Sequence, residues 1–243
     1  MSEIVIYLGP SLAHSTARSW LKATYLPPIK RGDLAMLSPD VQIVGIIDGV
    51  FHQSLAVSPK EIVALLDRGV SMYGASSIGA LRAAEAHMYG MIGVGRIFEM
   101  YRDREIDADD EVAVAYDPNT ELTVSEPLVN IRSALRTAVA EGIIRCDEAD
   151  RIIFTLKGIY YPLRSYQLVE RMSSALAPFL RASHYNQKRD DAVLLLRTIA
   201  SLGQEGALPS SVRDPEKPRE SFTLNIAGSP IERSARAPGT TRP

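Results

Sequence analysis

Short apolar runs alternate with helical spacing through the first half of this chain. The runs at 4–8, 41–47 and 70–73 are rich in β-branched and aromatic residues, and each stops at a glycine or an aspartate. Predominantly apolar runs of this length fit strands buried on both faces of a parallel sheet. Between them, Ala13, Ala17, Trp20, Leu21 and Tyr25 fall on one face of a helix predicted over 13–25, closed by Pro27 and Pro28. The next helix, 59–68, carries the clearest start signal: Ser58 at N-cap, Pro59 at N1 and Glu61 at N3 form a capping box, and Gly69 ends it. Strand–helix alternation predicts an α/β fold, a small parallel sheet flanked by helices with right-handed crossovers.

A helix follows at 77–89, stopped by Gly90, and another at 94–102 after the corner made by Gly93 and Gly95. From Ser125, read as a cap, the pattern is helical only, over 128–141, 147–157, 166–180 and 190–202. Beyond residue 208 proline, serine, arginine and glycine dominate without periodicity, and disorder is expected. The expected organisation is therefore an α/β core over 1–118, a helical region over 119–207 and a disordered tail over 208–243. The sequence contains no internal repeat.

Composition narrows the function. The chain has 243 residues with a formal net charge of −2 and 7% aromatic residues, which supplies neither a field for nucleic acid nor stacking surfaces for bases. Its single cysteine, Cys146, cannot form an internal disulfide or a cysteine-based zinc site. The first residues lack a basic region, and their apolar run is too short for a signal peptide or a membrane span. The expectation is a cytoplasmic protein with no membrane or nucleic-acid partner.

In open parallel sheets, ligands gather at the carboxyl ends of the strands. Here those ends carry Gly9-Pro10-Ser11, Asp48-Gly49 and the run 74–79. Ser77 lies in the sequence ASSIG at 75–79, which is like the nucleophile elbow G-x-S-x-G with alanine in the first position. The Ile78 N–H is then the natural oxyanion donor. The alternative is that Ser76 or Ser77 caps the helix.

A serine nucleophile needs a base. His52 follows a strand. Lys60 sits at the second position of its helix, where the macrodipole disfavours a cation by roughly 0.3–1 kcal/mol at exposed sites. Arg82 and Glu85 are three apart, placed either to pair with each other or to face a ligand. Asp107, Asp109, Asp110 and Glu111 form an acidic turn without the spacing of a calcium loop, so no metal is assigned. No cofactor motif is present, since the glycines at 90, 93 and 95 do not follow a run read as a strand.

The motifs YLGPSL at 7–12, IIDGVF at 46–51, KEI at 60–62, YGASSIGALRAAE at 73–85, YGMIGVG at 89–95 and DDEVAV at 109–114 occur in that order. Together they resemble the TfuA-like family, from about residue 4 to the helix around 130–132. The resemblance implies a partner of a YcaO enzyme, which uses ATP to activate peptide backbone amides, with a thioamide as product. It also implies that sulfur is drawn from a small ThiS-like carrier protein ending in a thiocarboxylate. A serine–lysine pair would cleave that thioacid, and by motif the pair is Ser77 and Lys60. Two departures stand out: Pro59 where the family often has histidine, and Ile78 where methionine is common.

Gly49 or Gly9 would be the second oxyanion donor, and Asp48 and Arg82 are further binding candidates. The alternative is a non-catalytic adaptor that activates YcaO and recruits its peptide, with the acidic turn and helical region as working surfaces. An esterase triad ranks last, because His87 and His184 have poor contexts.

Overall fold

The computed structural model describes residues 3–50, 55–117, 122–182 and 185–204. Five parallel strands form the sheet: β1 (Glu3–Tyr7), β2 (Thr24–Leu26), β3 (Val41–Ile46), β4 (Ser71–Ala75) and β5 (Ile92–Val94), in the order β2-β1-β3-β4-β5. Alternate side chains leave opposite faces of each strand, which divides the core in two. Ile6, Ile43 and Tyr73 face α1 (His14–Trp20) and the last helix, α9 (Gln187–Gln204). Val5, Val44 and Met72 face α2 (Pro59–Asp67), α3 (Ile78–Ala86) and α4 (Arg96–Arg102). The result is a helix–sheet–helix sandwich, as the α/β reading expected.

The three apolar runs read as strands are β1, β3 and β4. Two edge strands were not expected. Thr24–Leu26 is β2, paired with Val5–Tyr7, where the sequence reading continued a helix to residue 25. The helix stops at Trp20 because Leu21 turns to extended backbone at φ −146°. β5 likewise pairs Ile92–Val94 with Tyr73–Ala75, so the corner at Gly93 is a strand. Gly93 lies where any Cβ would fall 2.1 Å from the Phe98 ring.

α2 begins on the capping box as expected: the Glu61 N–H donates to Ser58 Oγ, and the Glu61 carboxylate accepts from the Ser58 N–H at 2.8 Å. The helical region comprises α5 (Leu128–Ala140), α6 (Cys146–Lys157), α7 (Tyr166–Met172) and α8 (Leu176–Ala182), packed around Ile131, Leu135, Ile152 and Leu176. The helix expected over 166–180 is two helices, broken where Ser173 is extended. Ser125 is not the cap of α5, which starts after Pro127; its hydroxyl accepts the Ala115 N–H at 2.8 Å.

α9 leaves that region and returns to the sheet. Ala192, Leu195, Leu196 and Ile199 are buried against it, and Asp191 accepts the Arg96 and Ile97 N–H groups at 3.1 and 2.8 Å, capping α4 from a distant part of the chain. The tail read as disordered, 208–243, like the sequence candidates His52 and His184, lies outside the described residues. Among the described residues no helix is long and apolar enough to cross a membrane.

Candidate functional site

The strand order reverses at β1: its connection leads outward to β2, whereas β3 and β4 build in the other direction. The crevice between the ends of β1 and β3 is where an open α/β sheet offers room for a ligand. A cavity of about 230 Å³ lies there. Pro10 from the β1 loop, Asp48 and Gly49 after β3, and Ser77 and Ile78 after β4 line it. Residues 112–116 and Tyr161 also line it, and Lys188 from the first turn of α9 completes it.

Ser77 enters this cavity on a strained corner. The Ser77 N–H donates to the Ala75 carbonyl at 2.8 Å across Ser76, whose φ is +69°. A three-residue turn with positive φ at a non-glycine residue is costly, on the order of 1–3 kcal/mol, and such strain clusters at functional sites. The surroundings over-determine it. The Ile47 carbonyl accepts N–H groups from both Ser77 and Gly79 at 3.3 Å. A Cβ on Gly79 would lie 1.8 Å from the Ile46 oxygen, and one on Gly74 2.2 Å from the Gly79 oxygen, so glycines let strand and helix touch.

Neither serine caps α3. Ser77 makes no side-chain cap bond, and the Ser76 hydroxyl is fully buried with no hydrogen-bond partner among the described residues. Ser77, 6% exposed, is the one of the pair that lines the cavity.

Among the described residues, two amides of cavity-lining residues have no hydrogen-bond acceptor. The Ile78 N–H opens α3 and, like the Gly49 N–H, donates to no described acceptor. In the bridge between Ile29 and Gly49 it is the neighbouring groups that bond: Ile29 N–H to the Asp48 carbonyl and Val50 N–H to the Ile29 carbonyl, both at 2.9 Å. The Gly9 N–H is occupied, donating to Asp48 Oδ2 at 2.9 Å. Asp48, 2% exposed, is the hub of the site: Oδ2 also accepts the Ser11 N–H at 3.0 Å, and Oδ1 accepts the Ser11 hydroxyl at 2.6 Å.

The amines divide unexpectedly. Lys60 is exposed on α2 and does not line the cavity. Lys188 does; it is 4% exposed, donates to the Val112 carbonyl at 2.9 Å and lies 3.9 Å from Asp48 Oδ1. Burial pushes its ammonium down, opposed by the carboxylates of Asp48 and Glu126. Arg82 is also outside the cavity: it donates to the Val57 carbonyl at 2.7 Å and pairs with Glu85 at 2.5 Å, tying α3 to the start of α2.

The acidic turn faces inward in part. Glu111, fully buried, accepts two bonds from Arg132 at 2.9 and 2.8 Å, and Asp110 pairs with the buried Arg164.

Residues 48–165 match the family model described as TfuA-like protein. The chain carries a TfuA-like domain. No curated protein matches the chain. The TfuA-like segment begins at Asp48 and contains the Ser77 corner, Lys60, residues 112–116 and Tyr161, while Gly9, Ser11 and Lys188 lie outside it.

Lys188 was missed in sequence because the last helix was started at residue 190. The signal was present: Lys188, Asp191, Ala192, Leu195, Leu196 and Ile199 form one helical stripe, and all are buried. Carrying the apolar stripe back one turn places a lysine on the inner face.

Proposed function

We propose that this TfuA-like protein supplies sulfur to a YcaO enzyme during peptide backbone thioamidation, by hydrolysing the thiocarboxylate of a small ThiS-like carrier protein. One observation carries the reading: a serine on a strained strand-to-helix corner lines a cavity at the sheet's switch point, together with two residues whose amides donate to no described acceptor. Ser77 Oγ attacks the thiocarboxylate carbon and gives its proton to a lysine amine. The oxyanion is met by the N–H groups of Ile78 and Gly49. The carbon–sulfur bond breaks and hydrosulfide leaves for the partner enzyme. Water then cleaves the ester, returning the Ser77 hydroxyl and a carrier that ends in an ordinary carboxylate.

The test uses the purified full chain, without YcaO, and a carrier bearing a C-terminal thiocarboxylate. Sulfide release by the wild type, and its loss in Ser77→Ala, is expected; equal release by both removes the assignment. A second reading is an adaptor that activates YcaO and recruits its peptide without chemistry of its own. It draws on Phe154, Tyr160 and Leu163, which stand 81%, 64% and 68% exposed on and just after α6. Ser77→Ala that still supports thioamidation by YcaO favours that reading.

A further inference from the structure

We propose that a second cavity, beyond Pro10 and Pro28, is a groove for the last residues of the carrier protein and takes an uncharged, extended chain end; the assignment rests on the hydrolase reading above and names the segment that the site must hold. This cavity, of about 510 Å³, opens at the carboxyl ends of β1 and β2, against the start of α1. Pro10, Pro28 and Tyr116 line both it and the Ser77 cavity, so the two meet at those three residues. A protein whose terminal carbon is attacked at Ser77 must lead its preceding residues away from the site, and this shared border supplies the path.

Two other cavities that touch the site suit a chain end less. The one that shares Pro10, Val114 and Lys188 with it is about 60 Å³, room for a few waters, and Glu126 and Lys188 line it. The one beside Tyr7 and Met36 shares Pro28 alone and has Lys30 and Asp33 in its lining.

The walls of the groove are held in place before any ligand arrives. A Cβ on Gly9 would lie 2.5 Å from Pro28 Cγ, so the β1 loop and the chain after β2 pack together with no side chain between them. The Tyr25 hydroxyl lies 3.0 and 2.9 Å from the Ala17 and Leu21 carbonyl oxygens, and its ring meets His14 edge-on at 6.0 Å. A wall that is already ordered loses little entropy when a flexible chain end settles on it. The lining also selects by charge. Leu8, Leu12, Ala13 and Pro27 contribute apolar surface, and among the described residues no Asp, Glu, Lys or Arg side chain lines the groove. A charged side chain brought there would lose water and gain no opposite charge. Small or apolar neutral residues before the thiocarboxylate fit.

The probe is acetyl-tetra-alanine ending in a thiocarboxylate, compared with acetyl-alanine thiocarboxylate and with a tetrapeptide carrying aspartate at the third residue from the end. Sulfide release is measured on the full chain. The tetra-alanine form should exceed the single-residue form at least 10-fold in kcat/KM, and the aspartate form should fall at least 10-fold below it. Ala13 lines the groove from the exposed N-cap of α1. Ala13→Trp should erase the advantage of length, whereas Ser19→Trp, exposed on the same helix, keeps it. Ala13→Asp places a carboxylate where a helix start favours one, and should turn the preference towards a tetrapeptide with lysine at the third residue from the end.

Equal kcat/KM for the three forms in a wild type that releases sulfide, or a length advantage untouched by Ala13→Trp, overturns the groove and leaves the hydrolase reading in place. If Ala13→Trp fails to fold, Ala13→Asp decides: an unchanged preference for alanine over lysine overturns it. If no form yields sulfide, binding of fluorescein-labelled tetra-alanine with an ordinary carboxylate end is measured instead. Binding that Ala13→Trp weakens keeps the groove and removes the hydrolase reading; no binding, or binding indifferent to Ala13→Trp, removes both.

Discussion

Replacing Gly79 by alanine isolates the geometry on which the site depends, because it adds one methyl group and no chemistry. The new Cβ would lie 1.8 Å from the Ile46 carbonyl oxygen and 2.6 Å from its carbon. An ordinary contact begins at 3.4 Å, so α3 and β3 must separate by about 1.6 Å. The obstacle is backbone in a strand paired on both sides, with Tyr7 on β1 and Gly74 on β4, and it cannot rotate away as a side chain would. Overpacking of this kind costs about 1–3 kcal/mol, and a rigid obstacle puts Gly79→Ala at the upper end even after a gain of about 1 kcal/mol in helix propensity.

For a unit of this size, each kcal/mol moves the melting temperature by roughly 2–4 °C, so a fall on the order of 5–10 °C is expected. The same separation carries Ser77 and the Ile78 N–H away from Gly49, and a displacement of about 1 Å in a catalytic constellation costs on the order of 100-fold in rate. The measurement pairs a thermal melt with sulfide release from the thiocarboxylated carrier. Gly158→Ala is the control, since Gly158 has φ −77° and a Cβ there would meet only the Thr155 oxygen at 3.4 Å. A Gly79→Ala protein that melts and turns over like the wild type would refute this account of the corner.

Three further outcomes follow from neighbouring features. Ser76→Gly removes both a positive-φ penalty and a buried hydroxyl without a partner, so it should raise the denaturant midpoint by the equivalent of about 1 kcal/mol and retain sulfide release; loss of release would move the nucleophile to Ser76. Arg132→Met strips the bidentate partner from fully buried Glu111 and leaves it Lys157 at 3.8 Å, and should cost about 3 kcal/mol in urea unfolding. Burial raises the Asp191 carboxyl against the lowering pull of the Ile97 N–H, Gln187 and the Arg96 N–H. Its folded value then lies above its unfolded one, so the native state takes up the proton first as pH falls. The stability of the wild type relative to Asp191→Asn should therefore increase from neutral pH down through the folded value, which denaturant titrations at stepped pH would detect.

Local chemistry was enough to read the inner strands, because β1, β3 and β4 are buried on both faces over most of their length and leave mostly apolar runs. It also gave the capping box of α2, which is decided within four residues, and the corner where Ser77 meets Ile78 and Gly79, whose small residues are a local demand. The edge strands were hidden. Three-residue segments such as Thr24–Leu26 have too few positions to display a period, and only pairing with β1 makes them strands. The motif of a lysine at a helix start was sound physics, but two helices carry one. The stripe of α9 puts Lys188 on that helix's inner face, but only the return of α9 to the sheet brings it to the cavity, while Lys60 stays in water. Sequence thus determined which segments could bury themselves and where the backbone would bend. Tertiary structure decided which amine shares a cavity with Ser77, because burial and approach between distant segments depend on how the helices close over the sheet.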